Sequence, residues 1–217
     1  MRAAQLSEET LATGVVALSA RDRDLAAIVA RFGPPPLWAR DPGFGTLIQI
    51  ILEQQVSLAS ARAAYLRLLA VIGEPLPERV LVLTDDQLKR VGFSRQKAAY
   101  VRALAQAIVS GAFEIGALDS LDDERARSAL LTLKGIGGWS ADIYLLMALR
   151  RADVWPGGDL ALAIAVREVK RLRKVPGPER LATISRAWRP WRAVAARVLW
   201  HHYLSTPRTR GSARRSA

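Results

Sequence analysis

The sequence predicts an all-α protein. Apolar residues return every three or four positions along most of the 217 residues, and no stretch shows the strict alternation of a half-buried strand. Helix-starting and helix-stopping residues fall at the ends of these periodic stretches. Half of the residues are hydrophobic, enough to build a real core at this length.

In order, the pattern predicts helices over 8–18, 22–32, 43–54, 58–72, 84–91, 95–110, 123–132, 138–149, 160–172, 178–186 and 190–204. Gly33-Pro34-Pro35-Pro36 ends the second, because proline cannot continue a helix. Ser57 is placed to cap the helix from Leu58, and Ser94 the one from Arg95. Gly73 and Gly111 stand where helices should stop, and Pro176-Gly177-Pro178 marks a later turn. Two all-helical lobes around a cleft accommodate this string. The first spans about residues 42–133; the second joins both ends, 1–41 and 134–204. The segment 205–217 is basic and poor in apolar residues, with Arg208, Arg210, Arg214 and Arg215 and no acid, and is expected to be a disordered tail.

The chain has 32 Lys and Arg against 20 Asp and Glu, a net charge of +12. That balance favours a polyanion, nucleic acid above all, over a merely solvated basic surface. There is no cysteine, which excludes disulfides, zinc–thiolate sites and iron–sulfur clusters. The adjacent His201 and His202 do not by themselves make a metal site. No apolar run approaches the roughly 20 residues that span a membrane. Met1 to Thr10 is polar and acidic beyond Arg2, unlike a secretory signal. The expected location is the cytoplasm, at the nucleoid.

Four constellations suggest chemistry. Leu133-Lys134-Gly135-Ile136-Gly137-Gly138-Trp139-Ser140-Ala141 reads as a glycine hairpin that opens a helix. Its glycines allow a sharp turn and a close backbone approach to a phosphate, while Ile136 can plug into the core. The N–H groups of Gly137, Gly138, Trp139, Ser140 and Ala141 then face one phosphate oxygen, as helix N-termini do. The turn's carbonyls point the other way, where a monovalent cation could sit. An ordinary helical corner would leave the same glycine pattern.

Asp159 follows Pro156-Gly157-Gly158 and precedes the apolar run Leu160-Ala161-Leu162-Ala163-Ile164. Alone it is an N-cap. A helix N-terminus also favours negative charge, and a carboxylate there can stabilise an oxocarbenium-like state when a glycosidic bond breaks. In Ile51-Leu52-Glu53-Gln54-Gln55-Val56-Ser57, two glutamines end one helix and a serine caps the next. A neutral side chain at such a corner can enter a duplex and fill the gap left by a flipped base. Read without company, it is a polar corner. Six tryptophans, against four phenylalanines, include Trp139 beside the hairpin and Trp188, Trp191 and Trp200 late in the chain. Indole faces stack on flat rings and attract cations, although most tryptophans are simply core.

Taken in order, these motifs resemble the alkylation-repair branch of the helix-hairpin-helix DNA glycosylases, over about residues 42–204. The resemblance rests on Phe44 through Ser57, Gly92-Phe93-Ser94-Arg95-Gln96-Lys97-Ala98, Leu133 through Ala141, Asp159, and Trp188-Arg189-Pro190-Trp191-Arg192 leading to Trp200. It implies a two-lobe helical fold, base flipping into an aromatic pocket and hydrolysis of the N-glycosidic bond in damaged duplex DNA. By position it makes Asp159 the catalytic aspartate, Trp139 and Trp200 pocket aromatics, Gln55 the wedge that enters the duplex, and Gln54 beside it a further DNA-binding residue. Gly135 and Gly137 become the phosphate hairpin, and the carbonyls of Leu131, Leu133 and Ile136 a site for Na+ or K+, with no other cofactor.

The departures sharpen the reading. Trp139 stands where bifunctional relatives place a lysine nucleophile, so no Schiff-base lyase step is expected. The roughly 40 residues before Asp41 leave no room for the additional N-terminal β domain of longer members. Ile143 and Leu160 replace aromatics found in some of them, which opens the question of base preference. The reading is therefore a monomeric, monofunctional glycosylase for alkylated bases of the 3-methyladenine and 7-methylguanine type. A glycosylase for deaminated or oxidised bases and a non-catalytic helix-hairpin-helix DNA-structure binder stand as alternatives at this point. The second explains neither Asp159 nor its tryptophans.

Overall fold

The computed structural model describes residues 5–207, so the basic segment expected to be disordered lies, from Arg208 on, outside the described residues. The described residues are α-helical, with no strand beyond a single bridge between Gln5 and Arg151. Twelve α-helices are described: α1 (Glu8–Arg21), α2 (Arg23–Phe32), α3 (Phe44–Glu53), α4 (Leu58–Ile72), α5 (Pro77–Leu81), α6 (Asp85–Arg90), α7 (Arg95–Val109), α8 (Asp123–Leu131), α9 (Gly138–Met147), α10 (Leu160–Val169), α11 (Pro178–Ser185) and α12 (Arg192–Ser205). Short 3-10 turns form at Ile115–Ser120 and Arg186–Trp188. The described residues before Asp41 give the helices α1 and α2, not strands.

Local chemistry explains the boundaries. Ser7 and Thr10 form a reciprocal capping box at α1, and Thr84 and Gln87 another at α6. Ser57 and Ser94 cap α4 and α7 through the amides of Ser60 and Lys97, as the sequence predicts. Gly73 stops α4 at φ +72°. The sequence pattern misses α5, whose five residues are too few to display a period and whose Pro77 starts the helix.

The chain divides into two compact units. Among the described residues, one runs from Trp38 to Pro156 and includes Gln5; the other combines Leu6–Leu37 with residues 157–207. This departs from the boundaries expected from sequence, because residues 134–156 belong to the first unit and not the second. The reason is packing. Helix α9 is apolar nearly all round, and Ala141, Ile143, Leu145 and Leu146 are buried in the unit where α9 packs on α3 and α8.

The first unit is built around α3, whose Leu47, Ile48, Ile50 and Ile51 are fully buried against α4, α7 and α9. The fully buried Tyr144 hydroxyl accepts the Gly43 N–H at 3.0 Å and fixes the entry to α3. Burial pushes that phenol up to about 12. The Arg151 guanidinium, wholly buried, donates to the carbonyls of Leu118, Asp119 and Leu121 and so holds the first 3-10 turn in place.

The second unit is organised around α12. Its residues Ala193–Trp200 are all buried, and α1, α2 and α10 pack on it. Gly14 allows α1 to approach closely, since a Cβ there would meet Val194 at 2.9 Å and the Trp191 ring at 3.0 Å. The buried Arg197 donates to the carbonyls of Leu37 and Ala193. Desolvation pulls its pKa down to about 10, against the pull of Glu8. At the base of α2 the Asp22 carboxylate caps the helix through the amides of Asp24 and Leu25. It also receives the Lys170 ammonium at 2.8 and 2.9 Å and the Trp188 indole N–H at 2.8 Å.

Candidate active site

The hairpin lies between α8 and α9, in the first unit. Gly135 takes φ +87°, a left-handed conformation that disfavours a side chain, and any Cβ there would drive into the Tyr100 ring of α7. Ile136 is buried, as the plug expected from sequence. Gly137 is the N-cap of α9, which begins at Gly138. At Gly138 a Cβ would lie 2.9 Å from Nη2 of Arg127, the far end of a flexible side chain that can shift to admit it.

Of the five hairpin amides expected to face a phosphate, one is corrected. The Ala141 N–H donates to the Gly137 carbonyl at 3.0 Å, because Ala141 is the first residue whose i−4 acceptor exists. The first-turn residues Gly138, Trp139 and Ser140 lie ahead of that bond, where the helix supplies no acceptor. The side chains of Ser140 and Ala141 are buried, so any contact from these residues outward is through backbone.

The glutamine corner sits in the same unit. α3 ends at Glu53, which is held by a bidentate Arg40 at 2.8 and 3.1 Å. The Lys97 ammonium donates to the Leu52 carbonyl at 2.7 Å, a cation at a helix C-terminus. Desolvation lowers the Lys97 pKa. Gln55 is exposed, in the left-handed region at φ +57°. Gln54 differs: it is half-buried, and its amide nitrogen donates to the Gly135 carbonyl at 2.8 Å and to Ser140 Oγ at 3.0 Å. The two motifs that the sequence presents as separate are thus tied together by one side chain.

In the second unit Asp159 caps α10, its Oδ1 accepting the Leu162 N–H at 2.8 Å. The same oxygen accepts the indole N–H of Trp200 at 3.3 Å. Trp200, 8% exposed, therefore orients the carboxylate through its ring N–H. Leu160, beside Asp159, is an exposed apolar side chain at 67% of its full area, where it can meet a ligand. Trp139, in α9, is half-buried. Trp188 is core, and Trp191, half-buried, is the α12 N-cap residue packed on Gly14. The structure thus groups Asp159 with Trp200 in one unit, and Gln54, Gln55, the hairpin and Trp139 in the other.

Sequence reasoning misses several supporting residues. Arg127 donates from α8 to the buried Asp142 of α9 at 2.6 Å and bolts the two hairpin helices together. A signal was present: one aspartate inside the apolar helix GWSADIYLLM must find a cation when buried. Lys97 lies within the motif Gly92–Ala98, but its hold on the Leu52 carbonyl left no such signal, nor did the packing of the Tyr100 ring on Gly135.

Comparison with known proteins agrees with this geometry. Residues 48–192 match the HhH-GPD superfamily of base excision DNA repair proteins. DNA-3-methyladenine glycosylase 1 of Schizosaccharomyces pombe is 27% identical over 180 residues, covering 81% of this chain and 79% of that protein. The probable bifunctional transcriptional activator/DNA repair enzyme AlkA of Mycobacterium tuberculosis is 33% identical over 162 residues, 70% of this chain but 32% of that longer protein. The solved structure of the Schizosaccharomyces pombe 3-methyladenine DNA glycosylase Mag1 in complex with abasic DNA matches with a TM-score of 0.81 at 26% identity, covering 91% of this chain and 99% of that one. On the strength of the family match over two thirds of its length, this chain belongs to the HhH-GPD superfamily of base excision DNA repair proteins.

Proposed function

We propose that the chain is a monofunctional DNA glycosylase of base excision repair that flips alkylated bases, of the 3-methyladenine and 7-methylguanine type, out of duplex DNA and hydrolyses their N-glycosidic bond. Relatives named DNA-3-methyladenine glycosylase support the base class, and the Mag1 complex with abasic DNA supports DNA as the partner. The observation that carries the reading is the Asp159 carboxylate. It is set at the N-terminus of α10 and oriented by the Trp200 indole, in a chain of this family.

The chemistry follows from the leaving group. A purine alkylated at N3 or N7 is cationic, so it departs without a strong general acid. Positive charge then accumulates on the sugar as the bond breaks, and a fixed carboxylate stabilises it most when that charge is largest. Asp159 supplies this field and can orient the attacking water. The Leu162 amide and the Trp200 indole hold its Oδ1, so little reorganisation is needed at the moment of reaction. Trp139, half-buried, offers an indole face to a cationic base, while Trp200, 8% exposed, acts chiefly through its N–H to Asp159. Trp139, in place of a lysine, leaves no amine there to form an imine. The backbone of Gly137, Gly138, Trp139 and Ser140 receives a DNA phosphate. The carbonyls of Leu131, Leu133 and Ile136 would be the oxygen donors that hold Na+ or K+ at the hairpin. The Leu133 carbonyl already accepts the Ile136 N–H at 3.1 Å and keeps a second lone pair. The protein is taken to act as a monomer on nucleoid DNA.

The test is Asp159→Asn. Released bases are identified by chromatography after incubation with methylated DNA. The variant is expected to lose at least about 10²-fold in single-turnover release, while duplex affinity is retained. Wild-type excision by the variant would remove Asp159 from the mechanism. Release of only uracil or oxidised bases by the wild-type protein would reject the alkylated-base assignment.

A further inference from the structure

We infer that Gln54 is a positioning residue that locks the corner presenting Gln55 to the phosphate-binding hairpin, so that the two motifs meet DNA as one rigid element. This corrects the sequence expectation that Gln54 itself contacts DNA. For the role of Gln55 it rests on the glycosylase reading; the lock does not.

The argument is one of donors and acceptors. A glutamine amide has two N–H groups. In Gln54 the nitrogen bonds the Gly135 carbonyl at 2.8 Å and Ser140 Oγ at 3.0 Å, partners that lie 81 and 86 residues further along the chain. Neither donor remains for a DNA phosphate or base edge. The two acceptors also stand on either side of the hairpin. Gly135 forms the turn, pressed against Tyr100, and Ser140 belongs to the first turn of α9 and is buried. One planar amide therefore spans the turn and the helix it opens.

The neighbouring residue shows what is being held. Gln55 is exposed, in a left-handed conformation that costs a non-glycine residue energy unless the surroundings impose it. Its flanks impose it. Lys97 grips the Leu52 carbonyl before the corner, Gln54 is clamped at the corner, and Ser57 caps α4 after it. A wedge held this way enters a duplex without first being ordered, and preorganisation of that kind lowers the cost of binding. Seating a phosphate on the hairpin also sets the wedge at a fixed offset from it.

The experiment uses the full chain and two independent breaks in the lock. Gln54→Met keeps the length of the side chain and removes both donors; Ser140→Ala removes one acceptor from the other side. In the DNA-free protein, hydrogen exchange at residues 54–57 and 135–140 is expected to speed up at least about 5-fold in both variants, with α4 and α7 unchanged. Unchanged exchange at either segment overturns the lock. With duplex carrying an abasic site beside 2-aminopurine, Gln54→Met is expected to weaken binding and the flipping signal about 5- to 10-fold, and undamaged duplex less than 2-fold. In a Gln55→Ala background the same change should do nothing further. Effects that multiply mean that Gln54 touches DNA independently, and overturn the proposal. If the wild type fails to prefer the abasic duplex, the glycosylase reading falls, and exchange still decides the lock.

Discussion

The hydrogen bond from Trp200 to Asp159 makes a prediction that ring stacking alone does not. Trp200→Phe keeps an aromatic face and removes only the N–H that orients Oδ1. Hydrogen bonds to charged groups are worth about 1.5–3 kcal/mol, so single-turnover base release should fall roughly 10- to 100-fold with little change in affinity for substrate DNA. Equal rates in the two proteins would leave Trp200 as a stacking surface only. At this scale part of the candidate site was legible as unusual residues in the sequence. Asp159, Trp200, Gln55 and Gly135 each carry a residue type whose chemistry or conformational freedom is peculiar, so position and motif expose them. Gln54 was legible as polar and at a corner, but its partners are far along the chain, and only the fold brings them to it. Likewise the donor at Ala141 was overcounted, because a motif does not reveal which residue first closes a helical bond.

Among the elements, the hairpin depends on a ring packed over a glycine. Gly135→Ala combines a left-handed backbone with a collision against Tyr100, and should destabilise the fold by at least about 2 kcal/mol in urea unfolding. Adding Tyr100→Ala should recover the steric part and leave the conformational part. A Gly135→Ala protein as stable as the wild type would contradict this packing. The helices themselves were mostly legible, since a long amphipathic period and a serine or aspartate cap are both local. What escaped was short or non-local. Helix α5 is one turn and a half and shows no period, and the assignment of α9 to the first unit depends on which core its apolar face enters. Periodicity says that a face is buried, never against what.

Across the whole molecule, the network around Asp22 joins the start of α2, the end of α10 and the Trp188 turn within the second unit. Burial alone would raise the Asp22 carboxyl, but hydrogen bonds from Lys170, Trp188 and the Leu25 amide, with the Lys170 charge, outweigh it and hold the carboxyl below its ordinary 3.8. Burial alone would lower Lys170, and Asp22 and Asp24 together raise it above 10.5. A depressed carboxyl contributes stability that is full above its unfolded value and lost as the pH falls through the folded one. Thermal unfolding should therefore show Asp22→Asn less stable than wild type at neutral pH, with the gap closing as the pH falls below about 3.8. A gap that stays constant into strong acid would show that the charge on Asp22 contributes nothing. The division of the chain has a further consequence, for synthesis. Helices α1 and α2 leave the ribosome well before α12, on which they pack and which emerges only after the whole segment Trp38–Pro156 has been made. The intervening unit can complete its core during translation, while Leu11, Val15, Leu18, Leu25 and Ile28 wait with their apolar faces uncovered. Nascent chains halted before α12 are thus the form in which this protein is most open to aggregation and to chaperones.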